Sequence, residues 1–233
     1  ALDSKSAMSE GYRTVRTNLK YINVDDPVSA LVITSAAPGE GKSIVACNLA
    51  IAAAQADRKV CLVESDLRRP RVTEYLQIPE ASGLTEVLAG QIELDDALRD
   101  WGHGLLTVLP PGAMPPNPSE ILGSLQMAQT ISNLKAKFDL VILDTPPLLA
   151  VSDAAVLASQ TDGAIVVVRH GGTSRDAVSN AVAALNQVNA RILGTVLNAV
   201  PAKRGYGYGY GYGYDAQKGN QPHVAAAEGA TRA

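Results

Sequence analysis

The stretch ALVITSAAPGEGKSIVACNLA, Ala30 to Ala50, decides the architecture. Its first six residues, Ala30–Ser35, are mostly apolar on both faces, as in a strand covered on both sides. From Lys42 the pattern turns helical and predicts a helix to Asp57. Between them, Ser35-Ala36-Ala37-Pro38-Gly39-Glu40-Gly41-Lys42-Ser43 places two glycines where the backbone can curl its N–H groups inward. The helix N-terminus behind the curl attracts anions. This is the chemistry of a phosphate cradle. Ala37, Pro38, Gly39, Glu40, Gly41 and Ile44 line it, Lys42 reaches the β- and γ-phosphates, and the Ser43 hydroxyl binds Mg²⁺. One position departs from GxxxxGK[ST]: its first glycine is Ala36 here.

Outward from this unit, apolar runs alternate with helical ones. Strands are predicted at Ala30–Ser35, Lys59–Glu64, Leu105–Leu109, Leu140–Asp144, Ala164–Val168 and Ile192–Leu197. Helices are predicted at Lys42–Asp57, Pro118–Lys137, Ser152–Gln160 and Arg175–Val188. The alternation implies an α/β fold, doubly wound, with a mainly parallel sheet and helices on both faces. Ligands bind such sheets at the carboxyl ends of the strands. Residues 1–27 form an N-terminal helical segment, 28–201 the phosphate-loop domain, and 202–233 lose apolar periodicity and read as a disordered tail.

Two further motifs fall at strand ends. In Val60-Cys61-Leu62-Val63-Glu64-Ser65-Asp66-Leu67-Arg68-Arg69-Pro70, a buried strand ends in two acids and then two arginines. Glu64 and Asp66 share a face while the chain stays extended. Paired acids beside a phosphate loop hold Mg²⁺ or accept a proton from a nucleophile. In Phe138-Asp139-Leu140-Val141-Ile142-Leu143-Asp144-Thr145-Pro146-Pro147, four apolar residues run into Asp144, an acid placed to serve a metal.

Bulk properties narrow the class. A chain of 233 residues is long enough for a full core. Its net charge of -3 gives no general attraction to nucleic acid. Cys47 and Cys61 lie in apolar segments and read as buried, reduced thiols. His103, His170 and His223 lie far apart and have no metal-ligand spacing. No apolar run reaches the roughly 18 residues that span a bilayer, and no signal peptide is recognisable. The chain starts at Ala1 rather than Met, as an excised part of a longer protein would.

Five of the eight tyrosines, Tyr206, Tyr208, Tyr210, Tyr212 and Tyr214, alternate with glycine near the end. Such a run cannot build a core, because glycine is entropically costly to fix and the rings would share one face of any strand. A nucleotide site and a row of displayed phenols on one chain suggest phosphoryl transfer to tyrosine.

With these motifs in hand, the chain resembles the bacterial tyrosine autokinase domains of polysaccharide co-polymerase systems, which belong to the deviant P-loop NTPase group. SAAPGEGKS is similar to the family's phosphate loop, ESDLRRP to its second Walker A motif and VILDTPP to its Walker B. PPNPSEIL and the terminal tyrosine cluster also match. Glu10-Gly11-Tyr12-Arg13-Thr14-Val15-Arg16 reproduces its ExxRxxR helix, and the signature lysine that partition-type ATPases carry near Ala37 is absent.

The resemblance implies an ATP-dependent protein-tyrosine kinase that autophosphorylates its tyrosine tail in trans within a ring, regulating capsular or exopolysaccharide synthesis and export. It implies ATP and Mg²⁺ as cofactors. Lys42, Glu64, Asp66 and Asp144 would be catalytic, with Ser43, Asp66 and Asp144 on the metal side and Asn198 against the adenine base. Where the family has Asp, this chain has Glu64, one methylene longer, either activating the tyrosine hydroxyl or organising the metal. Arg68 and Arg69 would contact phosphate or a neighbouring subunit, and Glu10, Arg13 and Arg16 another protomer. Implied partners are a transmembrane activator or co-polymerase segment, fused or separate, and a tyrosine phosphatase. The implied location is cytoplasmic, at the inner face of the membrane. Two other readings stay open: a nucleotide-switch ATPase with water as acceptor, and a partner-binding Gly-Tyr tail beside an inert or regulatory ATP site.

Overall fold

In the computed structural model, which describes residues 7–22, 27–79 and 81–201, the chain runs α1 (Ala7–Tyr21), β1 (Ala30–Ser35), α2 (Lys42–Ala54), β2 (Val60–Glu64), α3 (Val72–Leu76), α4 (Leu84–Leu88), α5 (Leu94–Ala97) and β3 (Arg99–Trp101). It continues through β4 (Leu106–Leu109), α6 (Pro118–Leu122), α7 (Leu125–Lys137), β5 (Leu140–Asp144), α8 (Asp153–Ser159), β6 (Ala164–Arg169), α9 (Arg175–Gln187) and β7 (Ile192–Asn198). Among the described residues the strands form one sheet in the order β3-β4-β2-β5-β1-β6-β7. All pairings are parallel except β3 with β4. This is the doubly wound sheet that the alternation predicts.

The strand period sorts the core into two layers. Ala30 and Val32 of β1, with Cys61 and Val63 of β2, face one apolar layer shared with α4 to α9. Leu31 and Ile33, with Leu62, face the other, shared with α1, α2 and α3. Burial on both faces is why β1, β2 and β5 read as unbroken apolar runs: all of their residues are buried. Truncating a fully buried Leu31 or Ile33 to Ala costs about 2–5 kcal/mol by lost transfer energy and the cavity left behind.

The structure adds three short helices, α3, α4 and α5, where none is predicted, ends α2 at Ala54 rather than Asp57, and differs in two further places. The helix expected over Pro118–Lys137 is two helices, because Ser124 caps α7 by accepting from the Met127 N–H at 3.2 Å. The antiparallel edge strand β3 was not visible in the sequence. It joins β4 through a turn with Gly102 and Gly104 at positive φ, and its three residues carry no apolar run. None of the described helices is long and apolar enough to cross a membrane.

Candidate active site

The loop from Ala36 to Gly41 leaves the carboxyl end of β1, the central region of the sheet, and enters α2. Gly39 and Gly41 take φ of 81° and 93°, left-handed values that a side chain strains. Gly41 is the residue before the first turn of α2 and has a second constraint: a Cβ there would press into the side-chain amide of Asn198. Asn198, at the end of β7, donates from Nδ2 to the Glu40 carbonyl at 3.0 Å. Pro38 and Gly39 are exposed, Glu40 and Ser43 are buried, and Ile44 is half-buried behind them.

Lys42 is the hub. Its Nζ donates to Asp66 Oδ2 at 2.7 Å and to Ser43 Oγ at 3.3 Å, and stands 3.7 Å from Asp144 Oδ2. Burial alone would depress the ammonium, but Asp144 and Asp66 outweigh it, so its pKa lies above the ordinary value. Burial pushes the Asp144 carboxyl up to about 7, against the opposing pull of Lys42. Neither Asp144 oxygen makes a hydrogen bond of standard geometry among the described residues, although the Ser43 hydroxyl lies close enough to oppose the rise together with Lys42. A buried carboxylate whose oxygens lack close hydrogen bonds, beside a hydroxyl and a second acid, is a donor set that suits a hard cation with oxygen ligands. Ser43, Asp66 and Asp144 therefore fit the Mg²⁺ implied by the fold. They bring two acids and a hydroxyl, and among the described residues no three His, Cys, Asp or Glu side chains are placed to hold a metal by themselves.

Glu64 pairs in register with Asp144 across β2 and β5, yet its carboxylate is turned elsewhere. It accepts from the N–H groups of Arg71, of Val72 at 2.7 Å and of Thr73 at 3.0 Å, and from the Thr73 hydroxyl at 3.2 Å. It thus caps the start of α3. Burial raises its pKa, and these four donors oppose the rise. Asp66 turns to Lys42 and to the Arg69 N–H at 3.0 Å, so the two acids of the motif have different partners once the strand ends.

Four contacts at the site link residues too far apart in sequence for any local pattern to announce them. Arg68 turns from the phosphate loop to Asp153 and Ser119, whereas Arg69 is exposed. On the other side, the end of β6 and the loop after it latch onto the phosphate loop. Arg169 Nη1 donates to the Gly39 carbonyl at 2.8 Å, and the Thr173 hydroxyl bonds the Glu40 carboxylate, whose other oxygen accepts from the Ala37 N–H at 3.0 Å.

At the other end of the chain, α1 packs Tyr12 and Leu19 onto α2. Its charged stripe divides. Glu10 and Arg13 pair with each other at the surface, while Arg16 Nη1 reaches the Ala52 carbonyl of α2 at 3.0 Å. Tyr206, Tyr208, Tyr210, Tyr212 and Tyr214 lie outside the described residues.

A strand–loop–helix phosphate cradle, a lysine between two strand-end acids and a doubly wound sheet define a P-loop nucleotide-binding domain. A model of the AAA domain matches residues 28–197. The tyrosine-protein kinase YwqD of Bacillus subtilis is 40% identical over 196 residues, covering 84% of this chain and 83% of that one. The kinase domain of the Escherichia coli tyrosine kinase ETK superposes with a TM-score of 0.80 at 38% identity, covering 87% of this chain and 80% of the other. The chimerical protein CapA2B2 superposes at 0.82 and 35% identity, covering 86% and 88%. The chain belongs to the bacterial tyrosine-protein kinases. It spans most of YwqD but only 26% of the full-length Escherichia coli Etk.

Proposed function

We propose that this chain is an ATP- and Mg²⁺-dependent protein-tyrosine kinase that phosphorylates its own C-terminal run from Tyr206 to Tyr214. The observation that carries the proposal is Lys42 poised between Asp66 and the buried Asp144 at the foot of the loop, in a chain that carries GYGYGYGYGY near its end. The loop amides and Lys42 bind and orient the β- and γ-phosphates, and Asn198 lies where the adenine would sit. Ser43, Asp66 and Asp144 would hold Mg²⁺, which neutralises charge on the transferring phosphoryl group when bound. A tyrosine oxygen forms the new bond to the γ-phosphorus, the bond to the bridging oxygen breaks, ADP departs and the phenol proton is shed. The loose transition state of such transfers places little demand on a base. The four donors on Glu64 therefore favour a role in ordering the start of α3 over proton abstraction or a direct hold on the metal.

In this reading transfer occurs in trans within a homo-oligomeric ring, for which the surface-exposed Glu10–Arg13 pair on the N-terminal segment offers a contact. Relatives support an activator that is either fused or separate, since the same module is nearly the whole of YwqD and about a quarter of Etk. In this reading the domain works at the cytoplasmic face of the membrane in polysaccharide synthesis or export, and a tyrosine phosphatase resets it. The deciding experiment incubates the purified full chain with ATP and Mg²⁺ and follows mass and free phosphate. Phosphate on the tail tyrosines is the expected result. Free phosphate with an unmodified tail would identify a switch ATPase.

A further inference from the structure

Of the two acids assigned to the metal, Asp144 ends β5 in the ladder while Asp66 lies on the loop after β2, and an ionic strut ties that loop to the start of α8. The strand ladder holds β2 and β5 together as far as Ser65, whose N–H donates to the Asp144 carbonyl at 2.8 Å. Beyond that point Arg68, two residues after Asp66, crosses to Asp153, the first residue of α8 after the Asp144 loop. Its Nε lies 2.9 Å from Asp153 Oδ2, and its Nη2 lies 3.4 Å from Oδ1 and 3.0 Å from the Ser119 hydroxyl of α6. Ser119 in turn donates to Asp153. Asp153 is fully buried, and Leu67 beside Arg68 is pinned in the core. A forked guanidinium–carboxylate contact is directional. Arg68 itself is half-exposed, and a pair open to solvent on one side adds little net stability, so its chief effect is to fix position.

The phosphate chemistry needs this fixing. A phosphate entering the loop competes with Asp66 for the Lys42 ammonium, now 2.7 Å away. When Lys42 turns to the phosphate, Asp66 keeps the Arg69 N–H of its own loop. We propose that Arg68, acting through Asp153 and Ser119, is a positioning residue that sets the separation of Asp66 and Asp144 and so the affinity of the nucleotide-loaded site for Mg²⁺. The proposal rests on the assignment of those two acids to the metal.

Calorimetric titration of ADP into the full chain, across a series of Mg²⁺ concentrations and in EDTA, tests it with Arg68→Lys and Ser119→Ala. Arg68→Lys keeps the charge and loses the fork. Its half-saturating Mg²⁺ should rise about tenfold, in the range typical of residues that orient metal ligands. Ser119→Ala should raise it by a smaller factor, and ADP affinity in EDTA should stay at the wild-type value for both. Because Ser119→Ala leaves the ion pair in place, it keeps the test decisive if Arg68→Lys does not fold. Mg²⁺ half-saturation at the wild-type value in the folded variants overturns the proposal. So does an equal loss of ADP affinity with and without Mg²⁺, which marks a general loosening of the fold. If wild-type chain binds ADP with no response to Mg²⁺, the metal assignment itself falls and takes the strut with it.

Discussion

Nζ of Lys42 lies 2.7 Å from Oδ2 of Asp66, so the residue proposed to bind phosphate is held in place by an acid proposed to bind the metal. Lys42→Met keeps the aliphatic stem and removes the charge. The variant should fold, and phosphotyrosine formation should fall by about 10²-fold or more, the scale of losing one group that stabilises transition-state charge. Circular dichroism and anti-phosphotyrosine labelling together check it. Normal labelling would move the active site away from this loop.

Glu64→Gln separates a base from an organiser. The amide turns an NH₂ toward N–H groups of α3 that now point at a carboxylate. It should cost about 1–3 kcal/mol in denaturant unfolding. Transfer should slow while the acid limb of the rate–pH profile persists. Disappearance of that limb would make Glu64 the proton acceptor.

Gly41→Ala places a methyl group at φ 93° and against Asn198. The left-handed backbone alone costs about 1–2 kcal/mol, and the Asn198 contact with the Glu40 carbonyl must break. ATP affinity should fall at least about tenfold, as 1.4 kcal/mol implies. Equilibrium binding of a fluorescent nucleotide measures it, and unchanged affinity would show that neither constraint shapes the site.

The divided stripe on α1 predicts two phenotypes. Glu10→Ala with Arg13→Ala should lower the oligomer mass in light scattering and make tail labelling depend steeply on protein concentration. Arg16→Ala should instead lower stability by about 0.5–1.5 kcal/mol, through its lost bond to the end of α2. Oligomer mass unchanged in the double variant would remove this surface as the subunit contact.

Asp162 supplies a pH test remote from the loop. Burial would raise its pKa, but Lys135 and the N–H groups of Ala30 and Ser29 outweigh that and hold it below the usual carboxylate range. A depressed folded-state pKa adds stability above the unfolded value of about 3.9. That stability is lost as pH falls through the folded value. The stability difference between wild type and Asp162→Asn should therefore shrink on acidification from neutral pH. A constant difference would mean that charge at Asp162 contributes nothing.

Much of this was legible in the sequence. The apolar run of β1, the glycines at 39 and 41, Lys42, and the acids closing β2 and β5 determined a P-loop sheet with its ligand at the carboxyl ends, because strand period and phosphate chemistry are local. The two-layer core followed from the same alternation. Tertiary structure alone decided where the side chains at the site turn. Glu64 and Asp66 alternate identically along a strand, yet one caps α3 and the other meets Lys42, since the strand ends between them. Arg68 finds Asp153 and Thr173 finds Glu40 across 85 and 133 residues of chain. No pattern in the sequence marks such pairs, because they are made by the packing of elements whose order in space is not their order along the chain.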